Sequence, residues 1–467
     1  MKTITLSNTH TSHILDILAK QKTYYRSGVT HPLEVRRANL KALHQAITQF
    51  EPKLVEAVGK DLNKNSFEAY TTEIGLVYKE IRHAIKNLPR WMKPKKYTTD
   101  LHNLPGASRM YPEPYGVSLI IAPWNYPIQL MLSPLVGALA GGNTAVLKPS
   151  ELAPATAGVM QEMIDQWFEP EAVAMVQGDA EVSTFLLEQQ WDKIFFTGSV
   201  PVGKIVMEKA AKHLTPLTLE LGGKSPVIVD DTADLDYTAR KIVWGKFLNC
   251  GQTCVAPDYV LVVGRERADR FVELLEKYLG EFYGESPMES PHYTKIINDR
   301  HFMRLSGLLE GTQPVIGGQK NQEQCRIAPT VFYPVDLDHP VMADEIFGPL
   351  LPILPVDSLD RAFDIVLDKP KPLAAYLFTT SRRNEKRFIR EIPAGGGCIN
   401  NVVMHVASSS LPFGGVGPSG MGEYHGRASF DAFTHWKGML KQSRIMEMKM
   451  AYPGKAPSLK VIRKILS

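Results

Sequence analysis

Alternating strand and helix signals, met twice along the chain, predict an α/β protein with two lobes. Three observations carry that expectation. Short apolar runs recur from residue 117 onward with helical stretches between them, the pattern of a parallel sheet covered by helices. The same alternation starts again after residue 225. And 467 residues are more than one ordinary core serves.

The elements follow in order. Residues 8–92 read mainly as helix, because Leu33, Val35, Leu40, Leu43 and Ile47 recur near helical spacing with Lys and Arg between them. Pro94-Lys95-Lys96-Tyr97 ends that block. The segment 97–116 holds Pro105, Pro112 and Pro114 and reads as an extended arm or hairpin. Strands are expected at 117–122, 144–148, 172–176 and 193–196, with a helix at 153–166. The second series has strands at 226–229 and 259–262 and a helix at 266–281. Near 413 the chain turns glycine-rich. The tail 458–466 is short, basic and amphipathic, and reads as a helix packed on the body or a partner subunit rather than on a membrane surface.

Bulk composition excludes several classes. A formal net charge of +4 is small for this length, and no basic stripe of the kind a nucleic-acid groove needs stands out. Met1-Lys2-Thr3-Ile4-Thr5 opens without a long apolar stretch, so no secretory leader and no membrane span are expected. Four cysteines, Cys250, Cys254, Cys325 and Cys398, are too few for a disulfide framework and suit a reducing cytoplasm. No metal site is expected: Cys250 and Cys254 have near-finger spacing, but no Cys/His pair follows at zinc-site spacing.

Chemistry concentrates in a few motifs. Cys254 lies in Gly251-Gln252-Thr253-Cys254, where small and polar neighbours leave a thiol open to attack a substrate. Glu220 ends Leu217-Thr218-Leu219 and precedes Gly222-Gly223, so its carboxyl should be partly desolvated and usable as a base. Asn125, in Pro123-Trp124-Asn125-Tyr126-Pro127, follows a strand directly and would face the ligand crevice of an open α/β sheet. Its amide suits an oxyanion, although from local sequence alone it reads better as a turn residue that satisfies backbone groups.

Phe196-Thr197-Gly198-Ser199 is strand and turn before a helix whose N-terminus suits a pyrophosphate. Gly415-Val416-Gly417-Pro418-Ser419-Gly420 matches the dinucleotide fingerprint by letters but follows no clean strand, and is read as a decoy. Lys148 and Glu151 could meet ribose hydroxyls. Glu345-Ile346-Phe347-Gly348-Pro349 reads alone as a loop.

Together, and in this order along residues 20–440, these motifs with Leu411-Pro412-Phe413-Gly414-Gly415 resemble the aldehyde dehydrogenase superfamily, most of all its class 3 branch. The resemblance implies an NAD- or NADP-dependent oxidation of an aliphatic or aromatic aldehyde to the acid. It implies a two-lobed fold, each lobe an open, mostly parallel sheet with helices, plus a small bridging arm. The dinucleotide-binding lobe would take 1–93 and 117–221, the catalytic lobe 222–412, the arm 94–116 and 413–440, and the tail 441–467. Cys254 would be the nucleophile, Glu220 the base, and Asn125 with the Cys254 N–H the oxyanion site. Trp124, Lys148, Glu151, Gly198, Ser199, Gly203, Leu221, Glu345 and Phe347 would hold the cofactor. Glu151 should repel a 2′-phosphate, which favours NAD. Tyr126, Trp244, Phe413 and His425 would line the aldehyde channel, with His405 a weaker candidate. Class 3 relatives are typically dimers, so a homodimer is expected.

Overall fold

The computed structural model describes residues 8–444, 452–455 and 458–466. Two six-stranded sheets organise it. In the first, the strands lie side by side in the order Gly420–Met421, Leu217–Glu220, Lys193–Thr197, Val117–Ile121, Thr144–Lys148, Val173–Met175. All neighbours are parallel except Gly420–Met421. Every residue of Val117–Ile121, Thr144–Lys148 and Lys193–Thr197 is buried. Helices cover both faces, which is why these strands read as continuous apolar runs. Chain order reverses between Val117–Ile121 and Lys193–Thr197. The loops leaving those two strands therefore diverge and open a crevice at the carboxyl ends.

The second sheet is parallel throughout, in the order Thr330–Phe332, Leu350–Val356, Tyr259–Val263, Pro226–Val229, Ala374–Phe378, Gly396–Ile399. Only the strands at 226 and 259 were legible from the sequence. Leu350–Val356 carries Pro352 and Pro355, and Gly396–Ile399 opens on two glycines. Such residues argue against a strand when read locally.

A third sheet has three antiparallel strands, Lys95–Tyr97, Ala107–Pro114 and Thr434–Lys441. Here the expected arm needs correcting. Of the segment 413–440 together with Lys441, only Thr434–Lys441 joins that sheet. Gly420–Met421 extends the first sheet, and the helix Arg427–Ala432 packs on the helix Gln129–Gly141. Gly420, at φ +141°, makes this possible, because a Cβ there would stand 2.1 Å from the Leu219 carbonyl oxygen. The glycine-rich 415–420 run is thus a turn that leads directly into an edge strand rather than into a helix.

The N-terminal helices Asn8–Arg26, Leu33–Leu62 and Gly75–Trp91 match the expected helical block. Leu33–Leu62 buries Leu40, Leu43 and Ile47 as its spacing implies. Gly75–Trp91 buries Val77, Ile81, Ala84 and Leu88. Its opposite face exposes Lys79, Arg82, Lys86 and Arg90. The expectation of no basic stripe is therefore wrong. Those residues are scattered in sequence, and the helical turn brings them into line. At the other end, Leu459–Leu466 is a helix whose Leu459 and Val461 are exposed rather than packed on the body. No helix among the described residues is long and apolar enough to cross a membrane.

Candidate active site

Three groups of the first sheet meet at its carboxyl edge. Asn125 follows Val117–Ile121, Lys148 ends Thr144–Lys148, and Glu220 ends Leu217–Glu220 beside Thr197. The Gly198 N–H donates to the Glu220 carbonyl at 3.0 Å, tying the Phe196–Ser199 turn to the Glu220 strand. The next helix, Val200–Ala211, starts there with Pro201 in its first turn. Gly203 lets that helix close on Leu221, since a Cβ would lie 2.6 Å from Leu221 Cδ2.

Cys254 comes from the other lobe, on the loop between the helix Leu235–Phe247 and the strand Tyr259–Val263. The loop is held in a conformation side chains rarely adopt. Asn249 and Cys250 take φ +50° and +54°, and Gly251 takes +73°. A Cβ on Gly251 would stand 2.2 Å from the Gly348 carbonyl oxygen. Such backbone persists only where neighbours over-determine it, and here they do. The Asn249 N–H donates to Glu68 Oε1 at 2.9 Å, and Asn249 Nδ2 to the Asn125 carbonyl at 2.9 Å. Gln252 Nε2 donates to the Asn249 and Lys295 carbonyls at 3.1 and 3.0 Å. Gln252 Oε1 accepts from Ile297 N at 3.0 Å.

Asn125 is clamped to the same loop. Its Nδ2 donates to the Gln252 carbonyl at 2.9 Å, two residues before Cys254. Its own carbonyl accepts from Lys64 Nζ at 3.0 Å. Lys64 in turn makes a fully buried ion pair with Glu73 at 2.7 Å. Glu73 Oε2 also accepts from Ile128 N at 2.8 Å. Glu73 reaches this place from a π-helical turn, Tyr70–Ile74, a local widening often found at functional sites. Tyr126 sits beneath Lys64, 4.0 Å from ring centre to Nζ, and its hydroxyl lies 2.6 Å from Thr253 Oγ1.

Glu220 stands in contrast. It is 2 % exposed, and neither carboxyl oxygen has a hydrogen-bond partner among the described residues. Burial, helped by the charge of Glu423, raises its pKa well above the usual carboxylate range. The Cys254 thiol is pushed up as well, first by burial and then by the charges of Glu345 and Glu220. The main-chain N–H groups of Cys254 and Val255 oppose that by pointing at the sulfur. The thiol and Glu220 therefore share one electrostatic neighbourhood, and a base is needed to ionise the sulfur.

Glu345 is pushed up to about 8, mainly by burial and next by Asp258. It approaches Gly222 so closely that a Cβ there would be 2.2 Å from its Oε2. Its loop is anchored by Lys224, whose Nζ donates to Asp258 Oδ2 at 2.5 Å and to the Val341 and Asp344 carbonyls at 2.8 Å. Asp258 Oδ1 accepts from Ile346 N at 2.9 Å. Phe347, at φ +47°, turns its ring edge-on to Trp124 at 5.5 Å. Trp124 also lies 5.0 Å from His301. Buried Lys148 donates to the Pro149 carbonyl at 2.6 Å and faces Glu151 at 3.8 Å. Ser199 and Glu151 are exposed.

A cavity of about 780 Å³ opens onto Cys254. Tyr126, Trp244, Phe413 and His425 line it together, as does Tyr424. His425 stacks on Phe413 at 5.4 Å, and burial holds its pKa down at about 3, so the ring is neutral. His405 is not a wall residue. It stands behind Phe413, with Nδ1 3.5 Å from Cys398 Sγ. Sequence reading missed Lys64, Glu68, Glu73, Asn249 and Tyr424. Charged residues are usually solvated, and nothing local marks Lys64 and Glu73 as buried.

Known proteins resemble this chain over most of its length. The profile of the aldehyde dehydrogenase family matches residues 3–439. The chain is 44% identical over 443 residues to aldehyde dehydrogenase family 3 member H1 of Arabidopsis thaliana, covering 94% of this chain and 91% of that protein. It is 45% identical over 444 residues to the 4,4'-diaponeurosporen-aldehyde dehydrogenase of Staphylococcus aureus, covering 95% and 96%. A substrate-bound structure of Staphylococcus aureus AldH superposes with a TM-score of 0.95 at 44% identity, over 97% of this chain and 99% of that one. An indole-3-acetaldehyde dehydrogenase complexed with NAD+ superposes with a TM-score of 0.85 at 25% identity, over 93% and 90%.

Proposed function

The chain belongs to the aldehyde dehydrogenase family, and from that premise we propose that its site oxidises an apolar aldehyde to the carboxylic acid through a thioester on Cys254. The observation that carries this reading is the bare, buried carboxyl of Glu220 in the electrostatic neighbourhood of the Cys254 thiol. Glu220 takes a proton, and the sulfur attacks the aldehyde carbon. The carbonyl oxygen becomes an oxyanion, which the Asn125 amide and the Cys254 N–H stabilise. A bound NAD or NADP would supply the hydride acceptor that oxidation of the thiohemiacetal to the thioester requires. Glu220 gives up the first proton to solvent and then takes one from water, whose oxygen attacks the acyl carbon. The C–S bond breaks and the acid departs.

The residues present fit a dinucleotide. Lys148 places its side-chain nitrogen at the carboxyl edge of the first sheet, and Gly198, Ser199 and Gly203 frame a helix N-terminus beside it. Leu221 packs under that helix. Glu345, Phe347 and Trp124 would hold the nicotinamide half. Exposed Glu151 next to Lys148 favours a ribose with a free 2′-hydroxyl, hence NAD. Most of the cavity wall near Cys254 is apolar, including Leu130, Trp244, Phe282 and Phe413, which suits an aliphatic or aromatic aldehyde.

We read the protein as a cytoplasmic homodimer. Its four cysteines are free. The edge strand Thr434–Lys441 exposes Met439 and Leu440, and an edge of this kind is a template for a second copy.

The test is reduced-cofactor absorbance with NAD or NADP and a panel of aldehydes, without coenzyme A. Growing signal supports the proposal and ranks cofactor and chain type together. A signal seen only after coenzyme A is added would take the water-activating role away from Glu220.

A further inference from the structure

The cationic face of the helix Gly75–Trp91 has no part in this chemistry. Lys79, Arg82, Lys86 and Arg90 follow one another at spacings of three or four, so they form a single stripe. Beyond the helix it continues into Lys93, Lys95 and Lys96, all exposed. Seven cations thus fall between residues 79 and 96, and the one acid there, Glu80, is buried. None of Arg82, Lys86, Lys93 or Lys96 has an acidic partner among the described residues. With a net charge of only +4 for the whole chain, this is a local concentration of charge rather than general basicity.

The stripe begins at the cavity. Lys79 Nζ donates to the carbonyl of Ala407, a wall residue, at 2.6 Å. Two other wall residues are exposed apolar side chains, Phe67 at 76% and Met404 at 46%. A row of cations ending at an apolar rim matches a bilayer whose headgroups are anionic. Lysines and arginines meet the headgroups, and the rim side chains reach the acyl boundary. A nucleic acid would satisfy the cations but offers nothing to the rim.

We propose that this face docks the enzyme on anionic membrane, with the mouth of the cavity turned toward the lipid from which an apolar aldehyde would enter. The choice of lipid rests on the reading of the cavity as an aldehyde channel. The binding itself is measured without turnover, so the two readings fail separately.

The experiment is cosedimentation of the full chain at low salt with vesicles of phosphatidylcholine alone, or of equal parts phosphatidylcholine and phosphatidylglycerol. Binding is expected only to the second and should fall as salt is added. Replacing Arg82, Lys86 and Arg90 together by Gln should lower the partition roughly a hundredfold. Oxidation of a water-soluble aldehyde should stay unchanged. Replacing Arg382, Arg383 and Lys386 by Gln, on a basic helix elsewhere, should leave binding intact. Failure to sediment with anionic vesicles overturns the proposal. So does equal binding by the triple variant, which would move the contact to another surface. Binding to duplex DNA but not to vesicles would assign the stripe to nucleic acid and likewise overturn it.

Discussion

Two buried glutamates near the reacting centre are treated in opposite ways. Glu73 is paired with Lys64 at 2.7 Å and accepts a main-chain N–H at 2.8 Å. Glu220 has no partner among the described residues. Burying a charge costs several kcal/mol unless partners compensate it. Glu73 is compensated and holds Asn125 in place through Lys64. Glu220 is left uncompensated, so its proton affinity rises toward that of a working base. The carboxyl with partners holds its surroundings in place, and the one without is the proposed base.

The largest effect should come from Cys254, the proposed nucleophile. Cys254→Ser should abolish aldehyde oxidation in the absorbance assay, and near-normal turnover would refute the assignment. Glu220→Gln should slow steady-state turnover about 100- to 10,000-fold. A rapid-mixing trace should keep a first burst of reduced cofactor only if acid release, rather than thiol activation, is what the carboxyl limits. The variant should also be as stable as the parent in acid and more stable in alkali. The sign follows from the raised pKa of Glu220. Its contribution to stability is complete below the unfolded carboxyl value and is lost as pH rises through the folded one. Thermal melts across pH check this, and equal melts at high pH would mean that Glu220 has a partner after all.

Lys64→Met should behave the other way, costing about 3–5 kcal/mol of folding because Glu73 is left buried and alone. Urea titration measures it, and a loss under 1 kcal/mol would break the contrast between the two carboxyls. Asn125→Ala should lower turnover about 100- to 1000-fold through the oxyanion, with KM for aldehyde little changed. A rise in KM with unchanged turnover would make Asn125 a binding residue instead. The smallest effect is at Gly222→Ala. Its methyl would collide with Glu345, an overpacking worth about 1–3 kcal/mol, seen as a higher KM for the nucleotide than for the aldehyde.

Much of this was legible along the chain. Buried parallel strands leave unbroken apolar runs, so 117–122, 144–148 and 193–196 announced the first sheet. Cys254, Glu220 and Asn125 stood in short motifs whose neighbours restrict what they can do. The strand Leu350–Val356 was hidden by its own prolines. The edge strand Gly420–Met421 was hidden in a glycine-rich turn.

What no local pattern contains is pairing across distance. Lys64 looks like a solvated loop charge and Glu73 like a solvated helix charge until the fold closes over them. Whether Glu220 is bare depends on what every other element leaves near it. The stripe on Gly75–Trp91 is spread over twelve positions in sequence, from Lys79 to Arg90, and becomes a surface only at 3.6 residues per turn with its opposite face buried. Residue type and spacing pick out the candidate reacting groups. Desolvation and partnership, which set their proton affinities, are properties of the packed molecule.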